Sequence, residues 1–272
     1  MTATRDEWDL PISEAQLTRL TRDMEAAHRE TLPVMRAGAV DLAAEIRDRA
    51  AVGDGGPRNA GRRRFLIGAG AAATALALAA CSGKDTSSAK SSATPSGSAS
   101  AASSPYTGDL KVVALAVALE NQAVGAYQAA LGAAKAGKLG TVPPAVATFV
   151  TTAMAQHTDH AKAWNAVLTG AGKSAITGVP LSNQAATTAA LGKAASVGDV
   201  AKLALELEDQ AAQTYLFATY NVTSAAGIAT AASIAPVEAM HAAILNFVLG
   251  QYPVPDDFLP TDKAANPALL TV

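Results

Sequence analysis

Cysteine is all but missing: Cys81 is the only one in 272 residues, which excludes an intramolecular disulfide and any metal cluster built on thiolates. Aromatic residues are scarce at 4%, while half of the residues are apolar and much of that half is alanine, a composition that favours helices over strands. The net charge of −2 gives no basic excess for binding nucleic acid, and no nucleic-acid partner is expected. There is no phosphate-cradling glycine loop, nucleotide fingerprint or nucleophile–base motif, so no catalytic residue is indicated. Arginine disappears after Arg64 and lysine does not occur before Lys84. The chain therefore reads as two different polypeptides joined at an apolar segment.

Residues 1–60 form a polar extension with two short predicted helices. Ser13-Glu14-Ala15-Gln16 fits a capping box, followed by Leu17, Leu20 and Met24 at helical spacing, and Ala39 to Ala50 repeats the pattern more weakly. The extension reads as the leader of a signal segment, with Met35 as an alternative start, or else as an interaction segment. His28 is expected to be solvated. Arg62-Arg63-Arg64-Phe65-Leu66 then opens a 16-residue apolar run to Ala80, short of the roughly 20 residues that span a bilayer. Segment 61–81 resembles a twin-arginine export signal, with Gly61 where Ser or Thr is usual, and Leu78-Ala79-Ala80-Cys81 resembles a lipobox. That resemblance implies cleavage before Cys81, a diacylglycerol on its thiol, and a membrane anchor on the extracytoplasmic face. Residues 82–107, rich in Ser and Ala, are expected to act as a flexible tether.

Beyond the tether the chain repeats itself. Leu115 to Tyr127 aligns with Leu203 to Tyr215 so that Glu120 meets Glu208, Gln122 meets Gln210 and Tyr127 meets Tyr215, an offset of 88. His157 to Leu168 aligns with Glu238 to Leu249, so that His160 meets His241 and Asn165 meets Asn246, an offset of 81. A duplicated helix pair predicts a four-helix bundle. The predicted helices are Leu110–Ala136, a second from Pro143-Pro144 to Gly170, Asp199–Tyr220 and Thr223–Leu249, with a weak helical stretch at 183–195 inside the long middle connection. Pro236 is expected to kink the fourth helix. Residues 251–272 read as a Pro-rich tail available to partners.

Glu238 and His241, three residues apart, leave one face of an apolar helix. A carboxylate buried there needs a partner, and a metal ion satisfies both groups at once. From Leu110 onward there are four Glu and three His, and six of the seven occupy equivalent positions of the repeat: Glu120, His157, His160, Glu208, Glu238 and His241. Nitrogen and oxygen donors without sulfur suit iron, manganese or zinc. Glu206 should face solvent, as should Asp159 and Asp209 unless they hold ligand imidazoles. Tyr127 and Tyr215 read as core tyrosines, with an electron-relay role as the alternative. Trp164 and Met240 read as packing.

On these residues, 108–250 resembles the ferritin-like domain of bacterial secreted proteins, including desiccation-related ones. The resemblance implies an all-α ferritin-like four-helix bundle with Glu on the first and third helices and Glu-x-x-His on the second and fourth, the di-iron carboxylate plan. The chain matches at Glu120, His160, Glu208, Glu238 and His241 and departs at His157, where the plan has Glu. A neutral imidazole does not bridge two metals as a carboxylate does. The implied function is an exported, lipid-anchored iron handler or oxidase, in metal oxidation or stress protection. The alternatives are a metal-free envelope protein with a degenerate site, or a binding module on a lipid tether.

Overall fold

In a computed structural model, residues 9–52, 104–254 and 260–272 are described. The signal segment 61–81, Cys81 and nearly all of the tether lie outside the described residues. Those that are described fold into helices: α1 Glu14–Val52, α2 Asp109–Lys135, α3 Pro144–Gly170, α4 Gln184–Lys193, α5 Val197–Asn221, α6 Ala225–Val248 and a 3₁₀ turn at Pro267–Leu269. The only β-type pairing among them is an isolated bridge between Leu181 and Leu270.

The bundle is α2, α3, α5 and α6, with α2 packed on α3, α5 on α6, and α2 also on α5. Its connections run short, long, short as expected, and the long one carries α4 against α2 and α5. Helix ends follow local chemistry. Gly137 closes α2 at φ +69°, where the Lys138 amide reaches back to the Ala133 carbonyl at 3.0 Å. A capping box of Ser196 and Asp199 starts α5 two residues before the predicted boundary. Pro236 does not end α6, which continues as helix from Ala225 to Val248. Its missing N–H releases only the Ala232 carbonyl. Helix α6 is the one helix among the described residues long and apolar enough to cross a membrane, and it is the core helix that carries the buried Glu238 and His241.

Two apolar clusters fill the interior. One gathers Val113, Val117, Trp164, Val167, Tyr215, Ala218, Ala231 and Ile234; the other gathers Tyr127, Phe149, Val150, Ala201, Ala204, Ile244 and Val248. On each bundle helix the residues of one cluster lie N-terminal, and those of the other C-terminal, to the predicted ligands. The acids and imidazoles thus form a polar layer between two apolar plugs, which keep water away from it.

The extension is not two short helices but one, α1, 39 residues long and continuous through Pro33. It belongs to the same compact unit as the bundle. Leu17, Thr21, Met24, His28, Met35, Ala39 and Leu42 are all buried, a seam at three- and four-residue spacing that the half-buried Leu32 continues between His28 and Met35. Contacts of Glu14 with Ala145, Glu25 with Gln156 and Arg47 with Gly170 show α1 running parallel to α3. Gly38 against Ala226 and Thr230, and Leu42 against Gly227, show it antiparallel to α6. Close approach depends on small residues: a Cβ on Gly38 would collide with Thr230 Oγ1, and one on Gly170 would come within 2.7 Å of Ala43 Cβ. The contact with α3 is also matched in charge. Glu14 Oε2 accepts from the Ala145 amide at 3.1 Å in the first turn of α3, and Arg47 donates to the Gly170 carbonyl at 2.8 Å in its last.

The described part of the tail folds back onto the bundle. The Lys263 amide donates to Gln213 Oε1 at 2.7 Å and the Ala265 amide to Thr214 Oγ1 at 2.8 Å, folding this part onto α5. Tyr252 and Val254 remain exposed.

Candidate metal centre

All six residues expected at the site meet in the polar layer, each at most 1% exposed. His157 stands at the centre, its Nδ1 2.7 Å from Glu120 Oε2 and its Nε2 3.0 Å from Glu208 Oε1. His241 Nδ1 lies 3.1 Å from both Glu208 Oε2 and Glu238 Oε2. His160 Nδ1 is 2.7 Å from Glu238 Oε1 yet lacks the alignment of a hydrogen bond, so both of these atoms are buried without a hydrogen-bond partner.

The tyrosines cross between the halves of the repeat. Tyr127 donates to Glu208 and Tyr215 donates to Glu120, so each half orients the acid of the other. Trp164 does more than pack, since its Nε1 donates to the Tyr215 hydroxyl at 2.9 Å. Burial and the neighbouring carboxylates push both phenols well above their usual range and keep them neutral donors. Glu206 is exposed as expected. Asp159 and Asp209 pair with Lys162 at 3.5 Å and Lys263 at 2.8 Å rather than with imidazoles.

Electrostatics follow from burying three acids among three imidazoles. Burial alone would lower the pKa of His157, but the Glu238 and Glu208 carboxylates outweigh it and hold the ring well above its usual value. The same contest, against burial and in favour of Glu120, raises His160 to about 9. His241 is raised chiefly by Glu208, again against burial. Burial would raise Glu120, yet the His160 charge and the His157 hydrogen bond bring it down to about 2. Glu208 is driven well below the carboxylate range by His157 and His241, also against burial. Without metal, the layer is thus held together by protons.

The donor set fits a cation. Ligand atoms of Glu120, His157, His160 and Glu238 lie within 4.8 Å of one another, as do those of His157, Glu208, Glu238 and His241. His157 and Glu238 belong to both groups. The buried Glu238 Oε1 and His160 Nδ1, left without hydrogen bonds, are atoms that an entering ion would engage. The cluster is compatible with metal binding.

Three contributors escaped the sequence reading. His28 is 2% exposed, not solvated, and its ring centroid is 5.2 Å from that of His160. Gln156 Oε1 lies 2.7 Å from His241 Nε2, and Gln156 Nε2 donates to Glu25 Oε2 at 2.8 Å. The signal for α1 was the spacing of Leu17, Met24, Met35, Ala39 and Leu42, which Thr21 and His28 complete.

Four helices that direct Glu and His into a buried layer, with the Glu and His residues in repeat-related positions, define an all-α bundle with a polar core layer of the kind found in ferritin-like folds. The family comparison is specific: residues 108–251 match the ferritin-like domain, and the chain belongs to that family. Comparisons with curated proteins and with solved structures gave no match.

Proposed function

We propose that this protein is an exported, lipid-anchored ferritin-like protein that holds iron, or manganese or zinc, in its bundle core and serves in metal oxidation or stress protection. One observation carries the metal reading: the two four-residue donor groups share His157 and Glu238. Glu120 and His160 would help hold an ion on one side of the layer and Glu208 and His241 on the other, with His157 and Glu238 within reach of either. Iron or manganese, when bound, supplies redox and Lewis-acid chemistry toward oxygen or peroxide. The chain's own part is to exclude water with its apolar plugs, to orient Glu120 and Glu208 through Tyr215 and Tyr127, and to surrender imidazole protons as the cation enters.

A full-length chain expressed in iron- and manganese-supplemented medium should carry stoichiometric metal by elemental analysis. Less than about a tenth of an equivalent would overturn the reading. Export and anchoring are supported by Arg62-Arg63-Arg64-Phe65-Leu66 and by Leu78-Ala79-Ala80-Cys81. Cys81→Ala should move the protein from the membrane fraction to the soluble one, and unchanged fractionation would sink the anchor.

The second reading, a degenerate site without metal, is favoured by His157. As an imidazolium it donates to Glu120 and Glu208 together and closes a network that needs no ion.

A further inference from the structure

The repeat leaves one position unmatched. His160 and His241 are equivalent, and both turn Nδ1 toward the carboxylates. Their outward Nε2 atoms differ. His241 Nε2 lies 2.7 Å from Gln156 Oε1, which is itself tied to Glu25 of α1. At the same offset of 81, Gln156 falls on Val237, which has no polar atom to offer, and His160 Nε2 is buried without a partner. Beside it stands His28 of α1, its ring steeply inclined at 66° and its own Nε2 likewise buried and unpartnered.

Glu25 Oε2 is 3.9 Å from His28 Nδ1, so its charge favours the tautomer with hydrogen on Nδ1 and a lone pair on Nε2. That lone pair is the acceptor His160 lacks. Seating is not accidental: Glu14 and Arg47 bind the two ends of α3, and Gly38 lets α1 settle onto α6. His28 also sits at the level of the polar layer, with Met24 in one apolar cluster and Met35 in the other.

We propose that α1 is a wall of the metal centre and that His28 is the positioning residue for His160, accepting from its Nε2–H through one water, the role that Gln156 fills directly for His241. This fixes Nδ1 of His160 as the ligand atom. Both outer contacts then trace to α1, at Glu25 and His28, outside the residues that match the family. The inference rests on the metal reading above.

The test titrates full-length wild type, His28→Leu and His28→Gln with Co(II), folding being checked by circular dichroism. Leucine should weaken binding about 10- to 100-fold and shift the visible cobalt bands, while glutamine, which keeps an acceptor, should restore both to within about threefold. Gly38→Ala, which lifts α1 without removing a polar group, should give a loss like that of leucine and serves if the leucine chain does not fold. Binding and spectra unchanged in His28→Leu or Gly38→Ala, or glutamine no better than leucine, would overturn the proposal. Should wild type bind no cobalt, the metal reading fails by itself. The ¹⁵N-resolved Nε2–H signal of His160 in the metal-free chain then decides: a shift in His28→Leu that His28→Gln reverses supports the contact, and a signal that is unchanged or not reversed refutes it.

Discussion

The two halves of the bundle carry the same plan and differ where it matters. The α2/α3 half supplies Glu120, His157 and His160, and the α5/α6 half supplies Glu208, Glu238 and His241. At the one unlike pair, His157 uses both ring nitrogens on carboxylates of separate helices, whereas Glu238 keeps an oxygen with no hydrogen bond. One half closes the network; the other leaves it open to a cation. A single exchange of imidazole for carboxylate also balances three acids against three bases, so the layer can be neutral with protons alone.

The largest effect is expected from removing the open side. Glu238→Ala leaves His160 and His241 without their shared carboxylate; it should abolish metal uptake and lower unfolding stability by about 3–5 kcal/mol, measured by denaturant titration. Restoring the symmetry comes next. His157→Glu should raise Mn(II) capacity toward two per chain while destabilising the metal-free protein, since four acids would face two imidazoles; titration by electron paramagnetic resonance reads the first and thermal unfolding the second. If capacity does not rise, the asymmetry is not what limits the site.

Acidity probes the proton-held layer with less force. His160 is raised to about 9, so the stability it contributes is complete below an unfolded value near 6.5 and is lost as pH rises through about 9. Glu120 is lowered to about 2, so its share is complete above an unfolded value near 4.5 and is lost as pH falls through about 2. His28 is lowered to about 4, so its share is complete above an unfolded value near 6.5 and is lost as pH falls through about 4. Unfolding titrations of the metal-free chain should therefore peak near about pH 6.5, and metal affinity should climb with pH as the imidazoles release protons. The smallest contrast is between the crossing tyrosines. Tyr215→Phe should cost more than Tyr127→Phe, by about 1 kcal/mol in denaturant unfolding, because it also strands Trp164 Nε1.

The site was legible because it was written twice in a stretch with little else to confuse it: few Glu and His occur after Leu110, and nearly all of them fall in register. The bundle helices were legible from Gly137, Gly170, Pro144 and their apolar runs, to within a few residues at each end. Helix α1 was not. Its seam includes the polar Thr21 and also His28, expected to be solvated, and both are buried once α3 and α6 are laid beside them. The crossing of Tyr127 and Tyr215 onto opposite acids was equally hidden, because the repeat shows which residues are equivalent but not which ones touch.

The seating of α1 constrains topography. A chain whose residues 65–80 passed once through a bilayer would strand Glu14 and Arg47 on the far side from the helix ends they bind. Cleavage ahead of Cys81 would instead carry Glu25 and His28 away with the leader. Maturation would then leave a bundle whose two imidazole ligands have lost their outer supports, so the precursor and the anchored form would be expected to hold an ion with unequal strength.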